Sequence, residues 1–366
     1  MAYVAVQGGQ EAIKESNELL EYMRSKSRKT IDVLDIKESL SDLVFQVMSE
    51  ASLYDEDLAA LAIKQARGSM EEAVFLLRAH RSTLPRLYYS TITEPSKMEV
   101  KRRISASFKD IPMGQFLGMA NDFKQRFLNF DLVDEDEKKL EEIAKKYEKR
   151  EIIEKDVDFS NLTKVVDYLE EVGLIKRKEN DDRTPDDITK KAISFPSSRS
   201  ERLQSLTRGQ TGAVISLGYA EIRGFGIGSH PNIGELRVGD MDITVNISGE
   251  EDDDYYIGQI EVTEVESFVS TSVKEEDKFI KTFEIGYGLC FGQNESKAIA
   301  MSILDHALEC KNEDNYAPTG DDEFVLLHID SVESQGFISH LKLPHYVTFQ
   351  SLLDGMRKIK GEKNEK

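Results

Sequence analysis

Residues 241–268, MDITVNISGEEDDDYYIGQIEVTEVESF, carry the pattern that decides the fold. MDITVNI (241–247) and YYIGQIEVTEVESF (255–268) alternate as strands do, and the acidic loop SGEEDDD (248–254) splits them. FIKTFEIGYG (279–288) is a third strand candidate, and EFVLLHID (323–330) is also strand-like. Between them NESKAIAMSILDHALE (294–309) reads as a helix, with Asn294 placed to cap it. Residues 195–366 are therefore expected to form an α+β domain that mixes helices and strands.

Upstream the signal changes. YVAVQGG (3–9) looks like a short strand ending in a glycine turn. QEAIKESNELLEYMRS (10–25), IKESLSDLVFQVMSEA (36–51) and DEDLAALAIKQA (55–66) then space their apolar residues as helices do. RGS (67–69) breaks the pattern. Ser69 opens SMEEAVFLLRAHR (69–81), and Glu72 three residues later predicts a capping box. Two helices about a glycine turn also fit a DNA-reading helix-turn-helix, but the acidity of the chain favours plain helix packing. Residues 1–130 are thus expected to be an N-terminal helical domain. Residues 131–194 form a charged helical spacer. It holds DEDEKKLEEIAKKYEKREIIEKD (134–156), an amphipathic helix in LTKVVDYLEEVGLIKR (162–177) ended by Gly173, and the solvated linker KENDDRTPDDITKK (178–191).

The chain has 366 residues, ample for a large core, and a formal net charge of −20. That charge disfavours general nucleic-acid binding, which relies on Lys and Arg neutralising phosphates. No apolar run is long enough for a bilayer, and MAYVAVQGGQ lacks the basic start and apolar segment of a signal peptide. With Cys290 and Cys310 the only cysteines, a disulfide scaffold is excluded and a reduced, cytoplasmic protein is expected. Twenty residues separate the two thiols, with no C-x₂-C pair, which makes them poor zinc candidates.

Three stretches could carry chemistry. SSRSERLQSLTRG (197–209) offers Arg199, Arg202 and Arg208, whose guanidinium forks suit phosphate or phosphonate oxygens; a solvated helix face is the plain alternative. RGFGIGSHPNIGELRVGDMDI (223–243) reads as a long glycine-bearing loop. It gathers Arg223, His230, Glu235, Arg237, Asp240 and Asp242, yet it is neither a Walker motif nor a dinucleotide fingerprint. EFVLLHIDSVESQGFISHLKLPH (323–345) concentrates His328, His340 and His345. Within it, HLKLPH leaves three readings open: a metal clip, part of an active site, or two polar residues flanking a buried Leu-x-Leu. Pro344 argues against an uninterrupted helix, and a bent backbone could bring both imidazoles to one point.

These stretches, with LAALAIKQARGSMEEAVFLLRAHRSTLPR (58–86), RRISASFKDIPMGQFLG (102–118) and GYGLCFGQNESKAIAMSILDHAL (286–308), resemble the PhnI family of carbon–phosphorus lyase core-complex subunits over nearly the whole chain. The resemblance implies a role in bacterial phosphonate use. With its partner subunits, this family displaces adenine from ATP by a phosphonate such as methylphosphonate, giving ribose 1-methylphosphonate 5-triphosphate. Alone it is associated with nucleosidase activity. The histidine pair of HLKLPH is associated in the family with zinc near the radical SAM subunit, and it matches His340 and His345.

On that chemistry, Arg199, Arg202 and Arg208 are expected at phosphates, with Arg223 and Arg237 also binding substrate. Glu235, Asp240 and Asp242 are expected at the ribose or anomeric centre, and His230 as an acid. His328 is expected as a third metal ligand. The chain lacks a three-cysteine cluster, so cleavage of the C–P bond is not expected here.

Overall fold

The computed structural model describes residues 8–111, 113–148, 162–175, 183–225, 230–249, 253–275, 278–310, 317–342 and 346–361. Its centre is a four-stranded antiparallel sheet in the order β1 (Glu99–Ile104), β2 (Asn232–Asn246), β3 (Asp254–Glu275) and β4 (Lys278–Phe291). The hairpin expected from residues 241–268 is β2–β3, and 279–288 falls within β4. The helices make the architecture α+β, as the sequence implies.

The first helices are α1 (Gly9–Ser25), α2 (Val33–Ser39), α3 (Ser41–Ala51), α4 (Glu56–Gln65) and α5 (Met70–Thr83). α2 to α5 pack on one another around Val47, Met48, Ile63, Val74 and Leu77. α1 buries none of its residues. α6 (Glu137–Glu148) and α7 (Val165–Glu171) follow, and only α7 has a buried face. α8 (Arg199–Arg208), α9 (Thr211–Ala220) and α10 (Glu295–Glu309) cover one side of the sheet through Leu206, Val214, Met301 and Leu304, which meet Leu236, Val238 and Val265. α11 (Asp322–His328), α12 (Ser331–His340) and α13 (Tyr346–Lys360) complete the chain. Among the described residues no helix is long and apolar enough to cross a membrane.

Two glycines explain how α10 lies so close to the sheet. A Cβ on Gly286 would sit 2.0 Å from the Ser302 carbonyl oxygen, and one on Gly288 would sit 2.1 Å from that of Ala298. The helix backbone therefore rests directly on β4, with small residues on both sides of the contact.

Several local expectations need correction. The 323–330 stretch is helical: Asp321 accepts a hydrogen bond from the Phe324 N–H at 3.0 Å and starts α11. A short apolar run such as FVLL fits a buried helix as well as a strand, and the cap decides. The glycine-bearing segment 223–243 is not one long loop, because β2 begins at Asn232. Gly234 and Gly239 lie inside that strand, where a Cβ would strike the Phe268 ring and the Glu99 carbonyl.

Ser69 does cap α5 by position, but its side chain accepts no cap hydrogen bond. Full capping boxes form instead at Asp32 with Asp35 and at Ser198 with Glu201. Asn294 likewise occupies the cap position of α10, but its side chain donates to the Phe291 carbonyl. β1 arises within the segment read as helical. The strand expected at the N-terminus lies largely outside the described residues.

The close approach at β4 gives a direct stability contrast. Gly288→Ala should lower the urea midpoint by the equivalent of about 1–3 kcal/mol or more, because backbone must move. Gly336→Ala, in α12 with open space around it, should raise it by about 0.4–1 kcal/mol. Equal midpoints for the two variants would contradict the packing described.

Candidate functional site

Strand alternation gives the sheet two unlike sides. Leu236 and Val238 face α8 to α10, and Glu235 and Arg237 point the other way. On that second side the cross-strand neighbours are Arg103 with Arg237, Arg237 with Glu264, and Glu235 with Glu266. All of them are buried.

Arg103 Nε donates to Glu235 Oε1 at 2.6 Å, and Arg237 Nε donates to Glu264 Oε2 at 3.0 Å. Lys164, just before α7, reaches Glu264 at 3.0 Å and Glu266 at 2.6 Å. Three cations thus face three carboxylates. The backbone N–H of Val165 donates to Glu235 Oε2 at 3.0 Å, and the Tyr287 hydroxyl donates to Glu264 at 3.2 Å. Apolar clusters close the band on each flank, one around Val165, Leu169 and Phe268, the other around Met98, Val100 and Met241.

The band is not evenly satisfied. Arg237 Nη1 and Glu266 Oε2 are buried without a hydrogen-bond partner among the described residues. Burial pushes both Glu264 and Glu266 upward. At Glu264 the charges of Arg237 and Lys164 overcome it and hold the carboxyl below its ordinary value. At Glu266 burial prevails over the nearby Lys164, and its pKa is pushed up to about 7. Burial also pulls Lys164 down, but Glu264 and Glu266 more than offset this and leave it raised.

The arginines of α8 lie on the opposite side and differ in their commitments. Arg199 Nη2 pairs with buried Asp305 at 2.7 Å. Arg202 is buried against Glu309 and donates to the Ser197 carbonyl at 2.8 Å. Arg208 is half-buried, and its Nε has no partner among the described residues. Burial, together with Arg78 nearby, pulls its pKa down to about 10. Arg78 grips both oxygens of Asp330 at 2.8 Å and donates to the Arg208 carbonyl. Arg81 is lowered by burial and by Arg78. Arg78, Arg81 and Arg208 are therefore a local cationic excess on an acidic protein.

The remaining expected residues are scattered. Asp240 pairs with Lys101 at 2.8 Å, and Lys101 also meets Glu261 at 2.7 Å. Asp242 accepts from Gln259 at 2.9 Å. By alternation both share the side of β2 that carries Leu236, not the side of Glu235. His230 is exposed just before β2, and Arg223 is exposed in the π-helical turn Glu221–Phe225 after α9. The glycine-bearing segment thus does not converge on one point.

His340 closes α12, where its Nδ1 is hydrogen-bonded to the Phe337 carbonyl; His328 Nδ1 lies 2.6 Å from the Phe324 carbonyl. Such a bond selects the tautomer in which Nε2 is the metal-binding nitrogen. His345 lies outside the described residues. Among those described, neither His328 nor His340 belongs to a group of three convergent metal-ligating atoms.

The family model for PhnI, described as bacterial phosphonate metabolism protein, matches residues 2–363. The chain belongs to the PhnI family. It is 41% identical over 372 residues to alpha-D-ribose 1-methylphosphonate 5-triphosphate synthase subunit PhnI of Rhizobium meliloti (strain 1021), covering 98% of this chain and 95% of that protein. The protein of the same name from Escherichia coli (strain K12) is 39% identical, covering 99% of each chain. A putative C-P lyase subunit protein HtxH of Stutzerimonas stutzeri is 40% identical, covering 98% of this chain and 95% of that protein.

Glu235 and Arg237, expected at the substrate on a glycine-bearing loop, lie in this buried band, and its other members Arg103, Lys164, Glu264 and Glu266 were not expected from the sequence. EVTEVESF reads as a strand with a wet face, and nothing local marks that face as covered.

Glu266 sets a pH dependence for this PhnI-family chain. Its folded carboxyl holds a proton up to about pH 7, whereas the ordinary value is 4.5. The folded state therefore binds more protons between those values, and stability falls as pH rises through the window. Glu266→Gln should remove that fall. Urea midpoints of parent and variant should diverge in the variant's favour between about pH 5 and about pH 7.5. Parallel curves would show that Glu266 does not titrate there.

Proposed function

We propose that this chain is the ribosyl-transferring subunit of a carbon–phosphorus lyase core complex. In the reaction an oxygen of methylphosphonate, or a similar alkylphosphonate, forms a bond to the anomeric carbon of ATP. The bond from that carbon to adenine breaks, and adenine leaves with a proton. The product is ribose 1-methylphosphonate 5-triphosphate. Without partners, water takes the place of the phosphonate and the activity is that of a nucleosidase. The observation that carries this reading is the match of the PhnI family over residues 2–363. It is joined by relatives about two-fifths identical that are named as subunits of the synthase.

Of the expected arginines, Arg208 is assigned to the triphosphate. Arg199 and Arg202 are engaged by Asp305 and Glu309. Arg202 Nε and Arg208 Nε both lack a partner among the described residues, but Arg208 is only half-buried, beside Arg78 and Arg81, and can add a phosphate oxygen at little cost to the fold. Asp240 and Asp242 are the expected carboxylates on the side of the sheet that α8 covers, and they are assigned to the oxocarbenium-like centre.

His340 and His345 are assigned to zinc. The tautomer of His340 fits a ligand nitrogen at Nε2. When bound, zinc there supplies a Lewis-acidic centre with positions open to water, substrate or a partner.

Partner subunits, among them the radical SAM subunit, are assigned to exposed apolar side chains of this chain, which we place in the cytoplasm. Phe123, Phe127, Phe130, Phe337, Phe349 and Ile359 are all exposed. Association with partner chains would take such side chains out of water.

Product analysis by mass spectrometry tests the reading. The chain alone with ATP should release adenine and ribose 5-triphosphate, and the assembled complex with methylphosphonate should give ribose 1-methylphosphonate 5-triphosphate. No adenine release under either condition would overturn it. Arg208→Ala should raise KM for ATP roughly 10- to 100-fold, the equivalent of a charge-assisted contact, and leave the melting temperature nearly unchanged. An unaltered KM would remove Arg208 from the phosphate site.

A further inference from the structure

Three unlike metal-binding atoms meet where α10 ends against β4. His306 Nε2 lies 2.9 Å from Glu284 Oε2, Cys310 Sγ lies 3.0 Å from the same oxygen, and Sγ lies 3.5 Å from Nε2. Cys310 is exposed, and Glu284 and His306 are half-buried. The other cysteine, Cys290, is fully buried elsewhere.

The fold builds this triangle. His306 lies in the last turn of α10 and Cys310, four residues on, caps the helix end with its N–H on the His306 carbonyl, which keeps the two side chains on one face. Glu284 precedes Gly286 by two positions on β4, so it points to the same side of the strand. A Cβ on Gly286 would lie 3.0 Å from the His306 Cβ. The glycine therefore lets this end of α10 come down onto β4, and the imidazole with it.

The dimensions suit a metal. Zinc binds imidazole nitrogen and carboxylate oxygen at about 2.0–2.2 Å and thiolate at about 2.3 Å, so tetrahedral ligand atoms stand about 3.3–3.6 Å apart. The Nε2–Sγ separation already fits, and the two separations to Glu284 Oε2 must open by about half an ångström. A thiolate beside an imidazole selects a borderline-soft cation over magnesium or calcium.

We propose that Glu284, His306 and Cys310 form a zinc site, separate from the histidine pair of HLKLPH, with its fourth position open to water or a partner group. On binding, the Cys310 thiol gives up its proton to solvent and a zinc–sulfur bond forms. The site lies on β4, an edge strand of the sheet, where a neighbouring chain could approach the open position.

The sulfur ligand makes the test specific. The full-length chain, stripped by chelator and titrated with Co²⁺, should develop a near-ultraviolet sulfur-to-cobalt charge-transfer band. Cys310→Ala should abolish the band, and His306→Gln should weaken zinc binding at this site by more than about 100-fold in competition with a chromophoric chelator. His340→Ala should leave both signals intact, so loss of the HLKLPH zinc is read separately. Cys310→Ala changes an exposed side chain, and circular dichroism confirms its fold. Absence of the band in the parent, its persistence in Cys310→Ala, or zinc bound only through His340 and His345 would overturn the proposal.

Discussion

The pairing of Arg103 and Arg237 with Glu235 and Glu264 is the constraint on which the second side of the sheet depends. Arg103 is 0% and Arg237 1% exposed, so neither charge can turn to water. Removing one partner of such a pair costs about 3–5 kcal/mol, a large share of the roughly 5–15 kcal/mol that holds a domain folded. The band also ties together segments distant in sequence. β1, the 162–175 segment and the β2–β3 hairpin are joined through Arg103, Lys164 and the three glutamates. With that side fixed by charge, the opposite side is free to pack α8 to α10 on apolar residues.

This division separates side chains committed to the fold from those with fewer partners. Glu235 is held by Arg103 and by the Val165 N–H, so its oxygens are committed. Asp240, Asp242 and Arg208 lie on the α8 side and have smaller commitments. The triphosphate reading rests on the cationic excess of Arg78, Arg81 and Arg208, where like charges crowd an incompletely satisfied guanidinium. Such a cluster is easier to hold together with an anion than without one.

Much of the fold was legible because alternation and helical spacing are local. The β2–β3 hairpin, β4 and α10 fall where residues 241–309 place them. β1 was not legible: EVKRRI carries charges on both sides of the strand, and the partners that let Arg103 and Arg102 be buried, among them Glu235, the Thr163 carbonyl, Glu295 and Asp122, come from other segments. Glu264 and Glu266 were hidden for the same reason, since Lys164 lies 100 and 102 residues away. At the candidate sites, residue types were legible and their company was not. Arginines at 199, 202 and 208 were visible, but not that two of the three are taken by Asp305 and Glu309. The His306–Cys310 spacing of four was present in the sequence, and its third member, Glu284, arrives only through the contact of α10 with β4.

The position of the nucleotide relative to the two sides of the sheet decides between these assignments. A structure of the assembled complex with ATP and methylphosphonate bound answers this most directly. The triphosphate is expected at Arg208 beside Arg78 and Arg81, with the ribose turned toward Asp240 and Asp242 and the buried band undisturbed. A nucleotide seated on Glu235 and Glu266 beneath a displaced 162–175 segment, or held by a partner chain with no contact to Arg208, would contradict it.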